Sequence, residues 1–556
     1  MRRRTIQYLV LLFIAAVATH LYFFASTGPP TDPSLGWDWP DESEEALNPV
    51  PKRILSADTK KRDAVVASFQ YAWSAYERDA MGSDEYHPIS HSGTNLSHSG
   101  GIGYTIVDAI DTMLLMGLDA EYARAREWVS TSLSFDRDGR TRCFNTFETT
   151  IRVLGGLLSA FHLSADKLYL HHAVELADRI LPAFDTPSGL PLSSVNLETR
   201  VGIPDQWNPA TISTAEATTL QLEFRDLAHW TKNATYWHKA EKVMAVVDAA
   251  RLPSNLAPIS MNVNDGSFSQ SEIRLGSRGD SYYEYLLKQY LQTDRKEPVY
   301  LKMYEDAMQG IHDHLVQKTA TRKHTYIAEL VPKGVDWRTT WDLQHKQDHL
   351  VCFLAGSLML GATTAGARTP GAAVSVPPRM GELSETGQRD WKTGVALLEG
   401  CMETHKTATG LSPEIVQFQQ AAEQPNRDWH IKGSRPGGPA TYDARYMLRP
   451  ETIESLFLAW RLTGDARYRA YSWGIFEAIE RHARLPAGGY ATVVDVDTVP
   501  VKHDDKQETF YLSETLKYLY LTFADEDKLP LDKYVFNTEA HPLPIFRPDI
   551  QPLFTI

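Results

Sequence analysis

The chain contains very little cysteine: Cys143, Cys352 and Cys401 are its three cysteines among 556 residues. Three thiols form at most one disulfide and leave one cysteine over. A small scaffold held together by several disulfides is therefore excluded, and a body of this size must be stabilised by its hydrophobic core. We expect Cys143 to be a small buried hydrophobic residue rather than a reactive thiol.

Basic residues and transition-metal motifs are also scarce. The chain has 56 Lys and Arg against 70 Asp and Glu, a net charge of −14. Nucleic-acid-binding proteins usually carry a basic domain or stripe, and none is present, so we expect no nucleic-acid partner. The sequence has no HExxH and no CxxC motif. We therefore expect any bound metal to be a hard cation with oxygen ligands, such as Ca²⁺ or Mg²⁺.

Residues 5–25 contain no Asp, Glu, Lys or Arg. As a helix this segment is about 32 Å long, enough to cross roughly 30 Å of hydrocarbon. A cleaved signal peptide is the alternative, but its apolar core is shorter and ends in small residues, whereas this segment ends in Tyr22, Phe23 and Phe24. We therefore favour an uncleaved transmembrane signal anchor. The arginines at positions 2–4 predict a cytosolic tail over residues 1–4, which makes a type II membrane protein with a lumenal body.

Residues 26–53 contain six prolines and a run of acidic residues. Such a composition cannot pack a core and predicts an extended stalk. No linker rich in Pro, Gly or Ser divides residues 54–556, so we predict that they form one domain. Asn95 and Asn233 begin N-glycosylation sequons, which matter only in a secretory compartment and agree with a lumenal body.

Apolar stretches with helical spacing recur along this domain, and each ends in a short polar turn followed by a second helix. Examples are residues 151–170, 219–237, 282–301 and 452–471. The first helix of each pair is apolar nearly all round and is predicted to be buried, while the second is more charged and is predicted to face solvent. Repeated hairpins of this kind can close into a ring, so we predict an α/α toroid of about six or seven hairpins.

An acidic residue stands just before or at the start of five predicted inner helices: Glu148, Glu216, Asp280, Glu451 and Glu514. An acid in the first helical turn also complements the helix dipole, which is a sufficient explanation for any one of them alone. Capping needs no neighbouring arginine, yet Arg152, Arg278 and Arg449 stand close to three of these acids. If the inner helices point the same way, the acids converge in a polar pocket at one end of the barrel.

A pocket of acids, arginines and aromatic residues suits glycosidic-bond hydrolysis. In that reaction one carboxylic acid protonates the leaving oxygen and a second carboxylate activates water. His349, Phe353 and Phe510 add apolar and aromatic surface of the kind on which sugar rings stack.

Long motifs in a fixed order extend from about residue 54 to the end of the chain. They include TIVDAIDTMLLMGL (105–118), FETTIRVLGGLLSAFHLS (147–164), GSRGDSYYEYLLKQY (276–290), TGLSPEIV (409–416), LRPETIESLF (448–457) and VFNTEAHPLPI (535–545). Together they resemble glycoside hydrolase family 47, the class I α-1,2-mannosidases that trim N-glycans. The resemblance implies an all-α fold, an (α/α)₇ barrel.

The resemblance also implies roles for individual residues. Glu148 matches the acid that protonates the leaving group, directly or through a water. Asp280 and Glu451 match the other two essential carboxylates, with Glu451 as the base that activates the attacking water. Glu414 matches a further family acid that is sometimes given a proton-donor role. Family members invert the anomeric centre, which implies a carboxylate separation of roughly 6.5–9.5 Å.

Calcium is the cofactor that the resemblance implies. Thr538 matches the residue that holds Ca²⁺ through its hydroxyl and its carbonyl oxygen, with waters and sugar hydroxyls completing the 6–8 oxygen ligands that calcium prefers. The resemblance also supports a disulfide between Cys352 and Cys401. The remaining positions that match substrate-pocket or calcium-water residues are Glu216, Arg278, His349, Arg449, Glu454, Phe510, Glu514 and Glu539.

The arginine at position 278, two residues before Asp280, is similar to the residue that members of the endoplasmic-reticulum branch of the family carry there. This resemblance suggests removal of one mannose from a nine-mannose glycan. The leading hypothesis is a monomeric enzyme that acts on high-mannose N-glycans of glycoproteins at the membrane of the endoplasmic reticulum or early Golgi. Two alternatives remain: a degradation-enhancing mannosidase-like protein, and a catalytically inactive glycan-binding lectin on the same barrel. Loss of a matched carboxylate would favour the lectin, and none is lost.

Overall fold

The computed structural model describes residues 55–137, 143–250, 252–334, 340–419, 427–435 and 438–555. These ranges lie within one compact unit, Leu47–Ile556. The predicted cytosolic tail, anchor and stalk, residues 1–53, lie outside the described residues. No helix between Leu55 and the end of the described chain is long and apolar enough to cross a membrane.

Fourteen helices of eight or more residues lie within the described ranges. In chain order they are α1 (Thr59–Ala80), α2 (Tyr104–Met116), α3 (Asp119–Thr131), α4 (Gly155–Ser164), α5 (Lys167–Ile180), α6 (Gln221–Thr231), α7 (Ala234–Ala249), α8 (Asp280–Gln292), α9 (Pro298–His314), α10 (Phe353–Thr363), α11 (Glu385–Thr404), α12 (Glu451–Thr463), α13 (Ala466–His482) and α14 (Leu516–Phe523). Each even-numbered helix packs against the next even-numbered helix, and the segment that leads into α14 packs on α2 and closes the ring. Each even-numbered helix also packs on the odd-numbered helix that follows it, and α14 packs on α1. The predicted (α/α)₇ barrel is confirmed.

The two layers differ in burial as the composition of their helices predicts. Every residue of α12 is buried, as is every residue of α8 after the first. In the outer helix α3, by contrast, Ala125 and Val129 are the buried residues. Burying an apolar helix on all sides requires neighbours on all sides, which the inner ring supplies.

Short turns join three of the inner helices, α4, α6 and α12, to their outer partners and use a repeated device. A residue in the left-handed conformation ends the inner helix, and an Asp or Asn caps the outer one. After α12, Gly464 has a φ of 65° and the Asp465 side chain accepts a hydrogen bond from the Arg467 N–H at 2.8 Å. Ala165 with Asp166, and Lys232 with Asn233, repeat this pattern after α4 and α6. The predicted hairpins at 151–170, 219–237 and 452–471 therefore have a common turn.

The connections from outer to inner helices are long and carry small antiparallel sheets. Their strands are β1 (Glu85–His87), β2 (Ser92–Thr94), β3 (Phe144–Asn145), β4 (Ser194–Asn196), β5 (Val201–Ile203), β6 (Thr211–Ser213), β7 (Ser260–Asn262), β8 (Val316–Lys318), β9 (Thr325–Ile327), β10 (Glu329–Lys333), β11 (Thr340–Gln344), β12 (Lys346–Asp348), β13 (Ile415–Phe418), β14 (Trp429–His430), β15 (Thr492–Val493) and β16 (His503–Asp504). Strands β3–β4–β5 and β12–β13–β14 form three-stranded sheets, and the others pair in twos. These loops gather at the end where the inner helices begin.

The C-terminal hairpin enters the barrel. Its strands β17 (Tyr534–Phe536) and β18 (Pro542–Pro544) contact α8, α4 and α6. The side-chain amide of Asn537 donates to the carbonyl of Ile151 at 2.9 Å and to Glu223 at 2.7 Å. A Cβ at Gly155 would lie 2.6 Å from the Asn537 amide, so the hairpin fits because α4 begins with glycine. The turn of this hairpin carries Thr538.

The cysteines and sequons differ in their surroundings. Cys352 and Cys401 form a disulfide with Cα atoms 6.0 Å apart, which confirms the predicted pair. Cys143 is half-buried rather than buried as predicted, because it lies in the loop before β3 and not in the barrel core. Asn233 is exposed, whereas Asn95 is half-buried and its side-chain oxygen accepts a hydrogen bond from the Asp84 N–H at 3.0 Å.

Candidate active site

A cavity of about 1070 Å³, open solvent at its mouth included, lies where the inner helices begin. Twelve of the predicted catalytic, substrate-binding and metal-binding residues line it: Glu148, Arg152, Glu216, Arg278, Asp280, Arg449, Glu451, Glu454, Phe510, Glu514, Thr538 and Glu539. Asp280 and Glu451 are the first residues of α8 and α12, so the inner helices point their N-termini into the cavity. Glu414 and His349 are not among the lining residues.

Glu148 and Arg152 form an i, i+4 pair on the helical segment that precedes α4. Arg152 Nε donates to Glu148 Oε2 at 2.8 Å, and Nη1 donates to the Thr509 hydroxyl at 3.0 Å. The Arg152 guanidinium also pairs with Glu539. The Arg152 side chain is 13% exposed and that of Glu148 is 36% exposed, so the carboxylate faces the open cavity.

Two short π-helical segments border the cavity, Thr149–Leu154 and Tyr511–Thr515. A π-helical turn is rare and shifts the side chains that follow it relative to a regular α-helix. Arg152 lies in the first segment and Glu514 in the second, and both line the cavity. The hydrophobic pattern of the sequence does not predict these two π-helical segments.

Burial raises the pKa of two of the carboxyl groups to about 7. For Asp280, the charges of Glu284 and Glu451 add to burial, while a hydrogen bond from the Ser281 N–H opposes it. For Glu451, burial outweighs the positive charge of Arg449 and raises the pKa. Both groups can therefore change protonation state near neutral pH, as acid–base catalysis requires.

Glu414 and His349 lie behind the cavity wall. The Arg449 Nη2 donates to Glu414 Oε1 at 2.6 Å, and its Nε donates to Oε2 at 3.1 Å. His349 is buried, with Nε2 3.7 Å from Glu451 Oε2. Burial lowers the pKa of His349 well below its ordinary value, so its ring is neutral. The structure thus places Glu414 against Arg449, and Arg449 against the cavity.

Several non-glycine residues beside the cavity, among them Arg278 and Leu448, have left-handed backbone conformations. Arg278 has a φ of 74° and Leu448, next to Arg449, has a φ of 63°. Such conformations cost energy and cluster at functional sites. The Arg278 carbonyl accepts a hydrogen bond from the Ala215 N–H at 2.9 Å, which fixes the exposed Arg278 at the mouth.

Acidic side chains surround the deep part of the cavity, where Thr538 lies. Burial raises the pKa of Glu454, Glu514 and Glu539, and neighbouring carboxylates raise it further. The Thr538 hydroxyl donates to Glu284 Oε2 at 2.8 Å. Its hydrogen is therefore engaged, and its oxygen lone pairs remain available as a ligand.

The residues present fit a hard divalent cation. Oε2 of Glu451 is buried and accepts no hydrogen bond. In the described ranges, no group of three or more His, Cys, Asp or Glu is arranged to hold a metal directly. An oxygen ligand from Thr538, within a wall of carboxyl groups, instead suits a cation whose remaining ligands are mostly waters and sugar hydroxyls.

The structure adds residues that the sequence reasoning missed. Glu284 lines the cavity one helical turn after Asp280, and this i, i+4 spacing could have identified it. Below the cavity, His541 lies between Asp108 at 3.0 Å and Asp111 at 2.8 Å. Lys517 donates to Asp111 at 2.8 Å. Burial opposes ionisation of Asp111, but the charges of Lys517 and His541 outweigh it and lower its pKa to about 2.

Comparison with known proteins agrees with this geometry. The model of "Glycosyl hydrolase family 47" matches residues 68–545. The chain is 43% identical over 496 residues to the endoplasmic reticulum mannosyl-oligosaccharide 1,2-alpha-mannosidase of Schizosaccharomyces pombe, covering 88% of this chain and 90% of that protein. It is 40% identical over 493 residues to the Homo sapiens protein of the same name, covering 88% of this chain and 64% of that one.

A solved structure is similar over nearly the same extent. The alpha-1,2-mannosidase from Trichoderma reesei superposes with a TM-score of 0.75 at 28% sequence identity, covering 88% of this chain and all of that one. The family match spans most of the chain, and the barrel and its cavity bring together the residues of the family motifs. The chain belongs to glycosyl hydrolase family 47.

Proposed function

We propose that this protein is an inverting, calcium-dependent glycosidase that removes terminal α-1,2-linked mannose from high-mannose N-glycans of glycoproteins. One observation carries the proposal: Glu148, Asp280 and Glu451 line a single cavity at the mouth of the barrel. The relatives named mannosyl-oligosaccharide 1,2-alpha-mannosidases support the substrate class.

In this proposal the three carboxyl groups divide the work of hydrolysis. Glu148 gives a proton to the glycosidic oxygen, directly or through a water, as the bond to the anomeric carbon breaks. Glu451 takes a proton from the water whose oxygen forms the new bond to that carbon. Asp280 is the third essential carboxylate beside them.

Arg449 and Glu414 support the base. Nη1 of Arg449 lies 3.8 Å from Glu451 Oε1, and its positive charge favours the ionised form of that carboxyl. Glu414 holds the other edge of the guanidinium in a bidentate pair. We therefore assign Glu414 the role of positioning Arg449.

Calcium, when bound, supplies a fixed positive charge that attracts water and sugar hydroxyls to the deep part of the cavity. Thr538 would hold it through its hydroxyl and its carbonyl oxygen. Carboxylates such as Glu454, Glu514 and Glu539 would accept hydrogen bonds from the waters around it.

The protein is further proposed to act as a monomer in the membrane of the endoplasmic reticulum or early Golgi, with residues 5–25 as a type II anchor and the barrel in the lumen. The names of the Schizosaccharomyces pombe and Homo sapiens relatives support the first compartment. Of the two proposed glycosylation sites, Asn233 is the more accessible because it is exposed at the start of α7.

Incubation of the full chain with a nine-mannose glycan, with and without Ca²⁺, tests the function. We expect Ca²⁺-dependent release of one mannose, a single eight-mannose isomer, and β-mannose as the first product seen by NMR. Glycan binding without cleavage would favour the lectin alternative. Release of α-mannose as the first product would contradict an inverting mechanism.

A further inference from the structure

Glu223 is a completely buried glutamate that the proposed mechanism does not use. It is the third residue of α6 (Gln221–Thr231), its exposed fraction is 0%, and it is not among the residues that line the cavity. An acid in the first turn of a helix complements the helix dipole, but a glutamate is almost never fully buried for that reason alone. A buried carboxyl group requires hydrogen-bonding partners, so the residues that contact Glu223 indicate its role.

Both side chains that donate to Glu223 lead to the turn of the C-terminal hairpin. Oε1 of Glu223 accepts hydrogen bonds from the Asn537 side-chain amide at 2.7 Å and from the Tyr285 hydroxyl at 2.8 Å. Asn537 is the residue before Thr538. The Tyr285 hydroxyl in turn accepts a hydrogen bond from the Thr538 N–H at 3.2 Å. One carboxylate oxygen is therefore connected to the backbone of Thr538 through two separate links.

The rest of the turn is ordered around Asn537. Its side-chain oxygen accepts hydrogen bonds from the N–H groups of Glu539 at 2.9 Å and His541 at 2.8 Å. Asn side chains commonly fix turns by such hydrogen bonds to the following backbone. The orientation of Thr538 thus depends on where the Asn537 amide is held, and Glu223 is one of the groups that hold it.

We propose that Glu223 is a positioning residue, which fixes the hairpin turn so that Thr538 keeps one orientation toward the deep part of the cavity. The proposal rests on the proposed function, because that function assigns Thr538 to calcium. Glu223 does not line the cavity and acts through Asn537 and Tyr285. Residues that orient a metal ligand typically change the affinity for the metal by about 10- to 100-fold when they are replaced.

Three variants test the two links. Glu223→Met removes the acceptor but keeps a side chain of similar length. Tyr285→Phe removes only the hydroxyl between Glu223 and the Thr538 N–H, and so tests the link even if Glu223→Met does not fold. In calorimetric titration of the metal-free full chain with Ca²⁺, we expect each to raise the Kd about 10-fold. Glu223→Gln should recover most of the affinity, because its amide oxygen can accept the same two hydrogen bonds.

Glu241 provides a matched control, because its hydrogen-bonding pattern is the same. It is 2% exposed, and its Oε1 accepts hydrogen bonds from the N–H groups of Leu553 at 2.8 Å and Phe554 at 2.9 Å. Among the described residues, its Oε2 has no hydrogen-bond partner, and neither has Oε2 of Glu223. Glu241 lies on the outer helix α7, outside the cavity lining. Glu241→Met should lower the Tm measured without Ca²⁺, as Glu223→Met does, but should leave the Kd for Ca²⁺ unchanged.

Hydrogen exchange of the hairpin gives a readout that needs no metal. The Thr538 N–H donates to Tyr285, so loosening that contact opens it to solvent. In the metal-free protein, we expect residues 534–544 to exchange their amide hydrogens faster in Glu223→Met and Tyr285→Phe than in the unmodified protein. Glu241→Met should exchange at the unmodified rate.

The outcomes distinguish this inference from the proposed function. An unchanged Kd in Glu223→Met or in Tyr285→Phe, or an equal rise in Glu241→Met, would overturn the positioning role. If the unmodified protein binds Ca²⁺ but releases no mannose, the proposed function fails and the Kd values still decide the inference. If it binds no Ca²⁺, the calcium site fails and hydrogen exchange decides: equal rates in all four proteins overturn the positioning role, and faster exchange in Glu223→Met and Tyr285→Phe alone supports it.

Discussion

Arg449 and Glu414 form a bidentate ion pair in which Nη2 and Nε of the arginine each reach a carboxylate oxygen, at 2.6 and 3.1 Å. The free edge of the guanidinium faces Glu451, with Nη1 3.8 Å from its carboxylate. Arginine suits this position because its planar guanidinium can hold one carboxylate and present a charge to another. Glu414 thus acts on the cavity through Arg449.

A double-mutant cycle tests this coupling. We expect Glu414→Gln to lower kcat/KM by roughly 10-fold, and Glu414→Gln with Arg449→Lys to cost little more than the larger single change, because both remove the same arrangement. Steady-state kinetics of the four proteins measures the coupling. Asp497→Asn breaks a similar pair with Arg427 outside the cavity lining and should leave kcat/KM unchanged. Independent, additive losses would instead support a direct catalytic role for Glu414.

Replacing either main catalytic carboxyl group by an amide should nearly abolish turnover. We expect Glu148→Gln and Glu451→Gln each to lower kcat on α-1,2-mannobiose by at least about 10²-fold, the usual contribution of an acid or base group. Circular dichroism should show an unchanged fold, because both side chains border the cavity. Glu399→Gln on the outer helix α11 is the control. Near-normal activity in either variant would remove that residue from the mechanism.

The activity should fall as the pH drops below about 7. Burial raises the pKa of Glu451 to about 7, and a base accepts a proton only when it is ionised, so kcat/KM decreases on the acid side of that value. Arg449 lowers this pKa, so in Arg449→Gln the acid limb should shift to higher pH. A pH profile of kcat/KM for both proteins measures the shift. A limb that moves to lower pH would contradict the assigned base.

Metal removal tests the role of Thr538. We expect EDTA to abolish activity and added Ca²⁺ to restore it. Ca²⁺ should also raise the Tm, because a ligand that binds the native state stabilises it. Thr538→Ala should need more Ca²⁺ for both effects, while Thr538→Ser, which keeps the hydroxyl, should behave much like the unmodified protein. Full activity after exhaustive metal removal would contradict the calcium site.

The buried His541 should matter for stability and for the Thr538 turn. His541→Ala leaves Asp108 and Asp111 with one partner fewer, and removing one member of a buried ionic group costs about 3–5 kcal/mol in the free energy of unfolding. His162→Ala breaks a similar buried pair with Asp226 that does not line the cavity. Denaturant unfolding should show a loss in both variants. An equal Ca²⁺-induced Tm shift in both would show that His541 does not position the turn.

Several features could be predicted from local chemistry. Helical periodicity and the Asp or Asn that caps α5, α7 and α13 define their hairpins, because these signals act within a few residues of the chain. The number of cysteines is also known from the sequence, and three cysteines can form at most one disulfide. The acids at the starts of the inner helices were predictable as a group, because helices that run in parallel bring their N-termini to one end.

Other features depend on contacts between distant residues. His541 contacts Asp108, although more than 400 positions separate the two residues in the chain. Nothing next to either residue in the sequence indicates this contact. The sequence favours Glu414 as a catalytic acid, whereas in the structure Arg449 donates to both of its carboxylate oxygens. Cys143 is less buried than predicted because burial depends on which elements cover a loop.

The sequence by itself determined a ring of about six or seven helical hairpins and its acidic end, because periodicity and composition are local properties. The number seven was implied by the resemblance of its motifs to the family. Tertiary structure alone decided which residues of those motifs reach the cavity. Ring closure sets Glu148, Asp280 and Glu451 around one space and inserts Thr538 from the C-terminal hairpin. These placements depend on packing between segments far apart in the chain, which no local pattern encodes.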